Sequence, residues 1–413
     1  MMNKKNLGFT TKILHYNKKK YIEHGSIHKP IYNNVAFKYK NAKHIAEVFQ
    51  GKQNGYRYGR QGNPTVSALE KKITLMENGK YTICFSTGMA AIAAIIQGLL
   101  IKNDHIISSF FLFGNTNSMF NTINLQGIKI DMVDATDIKN IKKKITSRTK
   151  IIFVETIANP RTQIADLKNI GKLCEKKNIL YIVDNTITSP YLFQPKTVKA
   201  SLIINSLTKS ICGHGNTLGG SLTDTGIYNW KKFSNILNIY KKYHYSKWGI
   251  IQIRSKALRD FGASLSPESA YNISIGAETI SLRQKKACKN ALSLANMLNN
   301  EKNISKVFYP GLSTHPQHKL AKKKFKYFGN ILSFELNKNI KCFEYLNKLK
   351  IAIIASNLGD NRTLVIPVAH TIYFEMGKKK RKKMGISESL IRVSVGIENI
   401  KDILYDFKKA LNF

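Results

Sequence analysis

A lysine surrounded by small hydroxyl and glycine residues is the position in this sequence best suited to nucleophilic chemistry. Lys209 comes just after Ser206 and Thr208, an apolar run over 200–204 precedes them, and a glycine-rich stretch over 210–220 follows. The apolar run predicts a buried strand, and an ammonium group at its end loses solvation, which lowers its pKa and makes it a usable nucleophile. The two hydroxyl groups are of the kind that bind phosphate oxygens. The alternative is a lysine that closes a strand and points to water.

A phosphate cradle and a buried carboxylate are predicted at two other strand ends. Gly88 and Met89 begin an Ala/Ile-rich helix, and the free N–H groups at a helix start bind a phosphate dianion, although an ordinary helix start has the same pattern. Asp184 ends the apolar run 180–183, so it is expected to be buried and to need a cationic partner. Phe113 offers a ring for stacking. A covalent lysine, a phosphate cradle and a carboxylate for a pyridinium nitrogen together describe a pyridoxal phosphate (PLP) site.

Two arginines stand out in a chain that otherwise uses lysine. Arg57 and Arg60 lie with Tyr56 and Tyr58 on a glycine-containing loop, and Asn63 with the following proline then predicts a helix start. Arginine at such a place indicates bidentate binding of phosphate or carboxylate. The alternative is a turn with incidental charges.

These residues need a scaffold that brings strand ends together. Over 80–210, short apolar runs alternate with helical stretches, which predicts a mostly parallel sheet covered by helices on both faces. The predicted strands lie at 82–85, 106–107, 130–133, 151–154, 179–183 and 202–204. In such a sheet a ligand binds beyond the carboxyl ends of the strands. The distinctive residues fall at those ends: 86–89, 113–114, Glu155 with Asn159, 184–186 and 206–209.

A smaller α+β unit is predicted after residue 260. It has an amphipathic helix from about 278 to 298 and strands at 332–334, 351–354 and 391–395. We therefore divide the chain into an N-terminal arm (1–62), a PLP-binding α/β domain (63–260) and a C-terminal α+β domain (261–413). The arm has no evident core of its own, so it is expected to lie on another surface, such as a neighbouring subunit.

Composition narrows the possible classes of protein. The formal net charge is +41, but only ten of the 66 basic residues are arginines, and the lysines occur in pairs and triplets throughout. This distribution favours compositional bias over a specific nucleic-acid site, with non-specific anion binding still expected. No apolar run is long enough to span a bilayer, and the N-terminus lacks a signal-peptide core. Five scattered cysteines without metal-ligand spacing indicate a cytoplasmic protein with neither disulfides nor a metal site.

The chain resembles the Cys/Met-metabolism family of PLP-dependent enzymes, from 11–15 to 406–411. That family includes cystathionine γ-synthase, the cystathionine lyases, methionine γ-lyase and O-acetylhomoserine sulfhydrylase. The resemblance implies the aspartate-aminotransferase-like transferase fold (fold type I), with a mostly parallel seven-stranded sheet and a smaller C-terminal α+β domain. It also implies a homotetramer built from two dimers and small-molecule amino-acid substrates.

The resemblance assigns roles to individual residues. Lys209 carries the cofactor as an imine, and Asp184 pairs with its pyridine nitrogen. The remaining cofactor-binding positions are Gly88, Met89, Ser206 and Thr208 at the phosphate, Tyr58 and Arg60 reaching it from the neighbouring subunit, Asn159 at the ring hydroxyl, Thr186, and Phe113 on the ring. Arg392 takes the substrate carboxylate, with Ser356, Asn357 and Asn159 nearby. Lys209, Phe113 and Tyr58 are the expected catalytic positions.

One position departs from the family pattern. The family usually has tyrosine where this chain has Phe113. Phenylalanine keeps the stacking ring but lacks a hydroxyl group for the leaving-group proton. Lys209 can still move protons once its amine is free.

The resemblance favours γ-replacement on an O-acyl-L-homoserine with sulfide or cysteine. Asn216 stands where most cystathionine enzymes have aspartate, while 262–267 and 277–283 and the chain length are similar to the sulfhydrylase branch. A carbon–sulfur lyase, acting on cystathionine or methionine, is the alternative. A basic nucleic-acid-binding protein is the remote alternative.

Overall fold

The computed structural model describes residues 7–16 and 23–412, and the parts of the predicted arm at 1–6 and 17–22 lie outside the described residues, as does residue 413. The α-helices of the described chain are α1 (Phe9–Leu14), α2 (Ala42–Gln50), α3 (Pro64–Met76), α4 (Gly88–Leu99), α5 (Gly114–Leu125), α6 (Ile138–Lys142), α7 (Leu167–Lys177), α8 (Ser189–Leu192), α9 (Trp248–Ile253), α10 (Pro267–Glu278), α11 (Ile280–Asn299), α12 (His318–Lys324), α13 (Cys342–Lys348), α14 (Gly377–Lys383) and α15 (Ile400–Ala410). Its strands are β1 (Tyr81–Phe85), β2 (His105–Ser109), β3 (Lys129–Val133), β4 (Thr149–Glu155), β5 (Leu180–Asp184), β6 (Leu202–Ser206), β7 (Gly220–Asp224), β8 (Ile304–Phe308), β9 (Ile331–Leu336), β10 (Ile353–Ile354), β11 (Leu364–Pro367) and β12 (Leu390–Ser394).

The larger sheet has seven strands in the order β1-β7-β6-β5-β4-β2-β3. Strands β2 to β6 are parallel to one another, and β7 runs antiparallel to both β1 and β6. The mostly parallel seven-stranded sheet predicted from the sequence is thus confirmed. Six of its strands were predicted; β7 was not, because Gly220–Asp224 contains a single large apolar residue.

Successive residues of the central strands pack into two separate cores. In β5, Leu180 and Ile182 face the core that contains α4 and α9, whereas Tyr181 and Val183 face the core that contains α7. Side chains alternate between the two faces of a strand, so a strand covered on both sides must be apolar throughout. This burial explains why the continuous apolar runs of the sequence become the centre of the sheet.

The C-terminal part of the chain forms a five-stranded sheet in the order β10-β11-β12-β9-β8, antiparallel except for β10 with β11. Helices α11 and α15 pack against it in a third core. The predicted helix at 278–298 corresponds to α11. Helix α10 instead packs on α3 of the first unit, through Ala270 and Ile273 against Leu69 and Ile73. The predicted boundary at 260/261 therefore stays a prediction.

The described part of the N-terminal arm contains one helix that the sequence analysis did not predict. Helix α2 begins after Asn41, whose side chain accepts a hydrogen bond from the His44 N–H, and ends at Gly51 with a φ of 75°. Ile13 is buried against α3, so part of the arm packs on its own chain. No helix in the described ranges is long and apolar enough to cross a membrane, and these ranges hold no metal-ligand cluster of three or more His, Cys, Asp or Glu.

Candidate active site

A cavity of about 720 Å³ opens at the carboxyl ends of the central strands. It brings together most of the predicted site residues, which are Gly88, Met89, Phe113, Asn159, Asp184, Thr186, Ser206, Thr208, Lys209, Ser356, Asn357 and Arg392. These come from both sheets, so the site lies between the first unit and the C-terminal part of the chain. Tyr58 and Arg60 do not line it.

Lys209 lies in a tight turn directly after β6. The N–H of Gly213 donates to the Lys209 carbonyl at 2.8 Å, and the buried Arg283 donates to the carbonyls of Ser210 (2.8 Å) and Ile211 (3.1 Å). The ε-amine donates to Asn357 Oδ1 at 2.7 Å. Burial, and then the positive charge of Arg392, lower the pKa of Lys209 to about 8. A substantial share of this amine is neutral near pH 8, as a nucleophile or base requires.

The start of α4 forms a cradle together with the end of β6. Thr87 caps the helix by accepting a hydrogen bond from the Ala90 N–H at 3.0 Å, while the N–H groups of Gly88 and Met89 have no partner within the helix. A Cβ on Gly88 would lie 2.9 Å from the Ser206 Cβ, so glycine permits this close approach. The helix N-terminus and the Ser206 hydroxyl fit a phosphate dianion.

The hydroxyl groups of Thr186 and Thr208 line the same cavity but are engaged with the backbone. Thr186 Oγ1 accepts from the Ser206 N–H at 2.8 Å, and its own N–H donates to Asp184 Oδ1 at 2.9 Å. Thr208 Oγ1 accepts from the Gly219 N–H at 2.9 Å. Both threonines therefore fix the ends of β5 and β6, and their predicted contacts with a cofactor stay predictions.

Asp184 is a partly buried carboxyl group at the end of β5. Burial raises its pKa, and the contacts with Thr186 oppose this shift; no cation of the described chain contributes. A carboxylate buried without a cationic partner is costly. Asp184 would hold the protonated pyridine nitrogen of a bound cofactor, which would supply the missing charge.

Asn159 and Arg392 both line the cavity and have buried polar atoms without a hydrogen-bond partner. Neither Oδ1 nor Nδ2 of the buried Asn159 has a hydrogen-bond partner among the described residues, and the same holds for Nε of Arg392. Nη2 of Arg392 donates to the carbonyls of Ser356 (3.1 Å) and Asn357 (2.9 Å), and burial lowers the pKa of Arg392 to about 10. Buried polar atoms normally have partners, so these atoms indicate a polar ligand.

Phe113 lines the cavity beside two residues to which the sequence analysis gave no role. Its N–H donates to Glu155 Oε1 at 2.7 Å. The buried Tyr373 hydroxyl donates to the carbonyls of Leu112 (3.2 Å) and Asn159 (2.6 Å). The position of Glu155 at the end of a predicted strand could have identified it as a site residue. Nothing in the sequence indicated a role in the site for Tyr373 or Arg283.

Tyr58 and Arg60 lie together on the surface. Tyr58 is 43% exposed, and the Arg60 guanidinium lies over its ring, 5.5 Å from the centroid, and donates to the Arg259 carbonyl. Their predicted contact with the cofactor of a neighbouring subunit stays a prediction.

The residues of the cavity fit PLP. The start of α4 and Ser206 would hold the phosphate, Asp184 the pyridine nitrogen, Asn159 the ring hydroxyl and Phe113 the face of the ring, with Lys209 available for the covalent bond. The order of the seven-stranded sheet and a lysine after β6 place the chain among the PLP-dependent enzymes of fold type I.

Comparison with known proteins identifies the family. The model of the family "Cys/Met metabolism PLP-dependent enzyme" matches residues 10–412, and the chain belongs to this family. An L-methionine gamma-lyase of Fusobacterium nucleatum subsp. polymorphum is 34% identical to this chain, and the aligned region covers 99% of both proteins. A homocysteine/cysteine synthase of Saccharomyces cerevisiae is also 34% identical, over 94% of this chain and 93% of its own.

A solved structure agrees over the whole length. The structure named for an O-acetylhomoserine (thiol)-lyase of Campylobacter jejuni has a TM-score of 0.92 and 31% identity, covers 98% of this chain and 100% of its own, and contains a pyridoxyl-lysine monophosphate group. The protein is therefore a PLP-dependent enzyme of amino-acid metabolism that acts on carbon–sulfur bonds.

Proposed function

We propose that this enzyme catalyses γ-replacement on an O-acyl-L-homoserine, with sulfide or cysteine as the incoming nucleophile. The full-length likeness to the Campylobacter jejuni structure carries the proposal, and the yeast homocysteine/cysteine synthase supports it. Asn216 and the stretches at 262–267 and 277–283 favour the same branch.

The residues of the cavity suit this reaction. PLP, when bound, supplies an electron sink for negative charge at the substrate Cα. Arg392 binds the substrate carboxylate through the donors that it directs into the cavity, and this contact orients Cα toward Lys209. Nζ of Lys209, with a pKa of about 8, takes and returns protons at the substrate carbons.

A carbon–sulfur lyase is the second candidate. The Fusobacterium nucleatum methionine gamma-lyase is as similar in sequence as the yeast synthase, so a lyase that acts on methionine or cystathionine has comparable support. The two candidates share the carboxylate site and the base. They differ in whether a nucleophile enters after the leaving group departs.

Substrate trials separate the two candidates. O-acetylhomoserine and O-succinylhomoserine are each offered with sulfide or with cysteine, and cystathionine and methionine are each offered alone. We expect homocysteine from an acylhomoserine with sulfide, or cystathionine from an acylhomoserine with cysteine. Release of 2-oxo acid from methionine or cystathionine, without product from either acylhomoserine, would show that the enzyme is a lyase. Lys209→Ala is the control without activity.

We infer a homotetramer of two dimers in the cytoplasm, with Tyr58 and Arg60 completing the cofactor site of the neighbouring subunit. These two residues are exposed near 259–262 and outside the cavity of their own chain, and the described arm carries the exposed apolar residues Val35 and Phe49. Mixing Arg60→Ala with Lys209→Ala subunits under exchange conditions should restore part of the activity. Mixed tetramers that stay inactive would refute a shared site.

A further inference from the structure

Glu155 forms a pair with Asp184 at the floor of the cavity. The two residues end β4 and β5 and are partners in the parallel ladder of these strands. Neighbouring strands lie about 4.8 Å apart, and partners in register direct their side chains to the same face. Both side chains line the cavity, and Glu155 is only 8% exposed.

The Glu155 carboxyl group lies against two segments of the site. Oε1 accepts a hydrogen bond from the Phe113 N–H at 2.7 Å, and the backbone N–H of Asn159 lies near enough to favour the ionised form of this carboxyl group. Phe113 and Asn159 are the residues proposed to contact the face and the hydroxyl group of the cofactor ring. The Glu155 side chain therefore sets the backbone position of Phe113 and lies beside the backbone of Asn159.

Two adjacent buried carboxyl groups are not easily ionised together. Burial, and then the charge of Asp184, raise the pKa of Glu155 to about 8. The Tyr373 hydroxyl faces the pair but donates to two carbonyls, and no basic side chain of the described chain contributes a favourable charge to Glu155. Lys209 donates to Asn357, Nη2 of Arg392 donates to the carbonyls of 356–357, and neither basic group contributes to the pKa of Glu155.

We propose that Glu155 is a positioning residue that stays protonated beside Asp184, so that it fixes Phe113 at the ring while Asp184 carries the only negative charge beneath it. This inference depends on PLP binding in the cavity and is independent of which carbon–sulfur reaction follows. Asp184 gains a cationic partner from the bound pyridinium, and Glu155 gains none, so the proton of the pair remains on Glu155.

Glu155→Gln is the central test, because glutamine is neutral, has nearly the same shape and keeps an oxygen for the Phe113 N–H. We expect its holoenzyme to have the visible spectrum of the wild type and to release PLP on dilution within about threefold of the wild-type rate. Glu155→Ala, which removes the acceptor, should release PLP at least about tenfold faster. The proposal is wrong if Glu155→Gln releases PLP as fast as Glu155→Ala.

The pH dependence of stability gives a second readout. The pKa of Glu155 is raised in the folded protein, so its contribution to stability is complete below its unfolded value and is lost as the pH rises toward about 8. The urea midpoint of the wild-type holoenzyme should therefore fall more between pH 5.5 and 8.0 than that of Glu155→Gln. Glu175→Gln, an exposed substitution on α7, should behave like the wild type. Identical pH profiles for wild type and Glu155→Gln would show that Glu155 is already ionised and would overturn the proposal.

Discussion

Lys209 Nζ donates a 2.7 Å hydrogen bond to the side-chain oxygen of Asn357, and the main-chain oxygen of Asn357 accepts a 2.9 Å hydrogen bond from Arg392. One residue thus contacts the nucleophilic amine with its side chain and the proposed carboxylate-binding arginine with its backbone. The pKa of the amine is about 8 and should depend on both neighbours. The positive charge of Arg392 lowers it, and the hydrogen bond to Asn357 should raise it.

Asn357→Leu should lower the pKa of Lys209. A hydrogen bond to a charged group contributes roughly 1.5–3 kcal/mol, and about 1.4 kcal/mol corresponds to one pKa unit, so losing the amide oxygen should shift the value down by about one unit. Asn357→Asp, of the same shape but negatively charged, should shift it up. The measurement is the rate at which PLP adds to the cofactor-free enzyme as a function of pH. Equal profiles for Asn357→Leu and Asn357→Asp would contradict the contact.

Arg392→Met should raise the pKa of Lys209, because the positive charge of Arg392 is one of the two causes that lower it. The same substitution removes the proposed carboxylate partner, so KM for the amino-acid substrate should rise by at least about 30-fold. Arg392→Lys keeps the charge and should restore the pH profile of PLP addition, but only part of the affinity, since lysine cannot bind a carboxylate with two parallel hydrogen bonds. An unchanged KM in Arg392→Met would place the substrate carboxylate elsewhere.

The strand ends and the cofactor residues could be predicted from the sequence because they depend on the local pattern of apolar and polar residues. Apolar runs marked six strands of the large sheet, and the residues that follow five of these runs marked the site. The long-range contacts that hold Lys209 and adjust its pKa could not be predicted from the sequence. Asn357 lies 148 residues after Lys209, and Arg283 reaches Ser210 across 73 residues, so only the folded chain shows that they meet.

Three strands, β7, β8 and β11, were not predicted from the sequence, each for its own physical reason. β7 contains one large apolar residue, Leu222, and begins at a glycine that lies against the start of α4: a Cβ on Gly220 would meet the Thr87 carbonyl oxygen at 2.0 Å. β8 has three residues at least partly exposed, and β11 ends at Pro367. Propensity and periodicity predict a strand poorly where burial is partial, where the backbone of another element passes close by, or where a short apolar run ends in proline.

Gly88→Ala should weaken the binding of PLP by disturbing only the site of its phosphate group. The new Cβ would lie 2.9 Å from the Ser206 Cβ and 3.1 Å from its Cα, so the start of α4 must move away from β6. We expect PLP affinity to fall about tenfold, which corresponds to the loss of about one charge-assisted hydrogen bond. Pyridoxal, which lacks the phosphate, is the control ligand and should bind to both proteins equally. PLP affinity equal to that of the wild type would place the phosphate away from α4.

Phe113→Tyr tests the departure from the family pattern. Phe113 is fixed by its N–H to Glu155, and its ring lines the cavity, so tyrosine adds a hydroxyl group to the cavity without loss of the ring contact. The nearby Tyr373 cannot substitute, because its hydroxyl donates to two carbonyls and burial raises its pKa well above the ordinary value.

If departure of the leaving group limits the rate, a hydroxyl at this position should increase kcat by about tenfold or more through proton transfer and leave PLP affinity within about twofold. Tyr373→Phe is the matched control: it should lower the urea midpoint by leaving the Leu112 and Asn159 carbonyls without a donor, with little change in kcat. The comparison is made on the best substrate found in the trials above, with stopped-flow and steady-state rates. An unchanged kcat in Phe113→Tyr would mean that Lys209, whose amine titrates near pH 8, already handles the leaving-group proton.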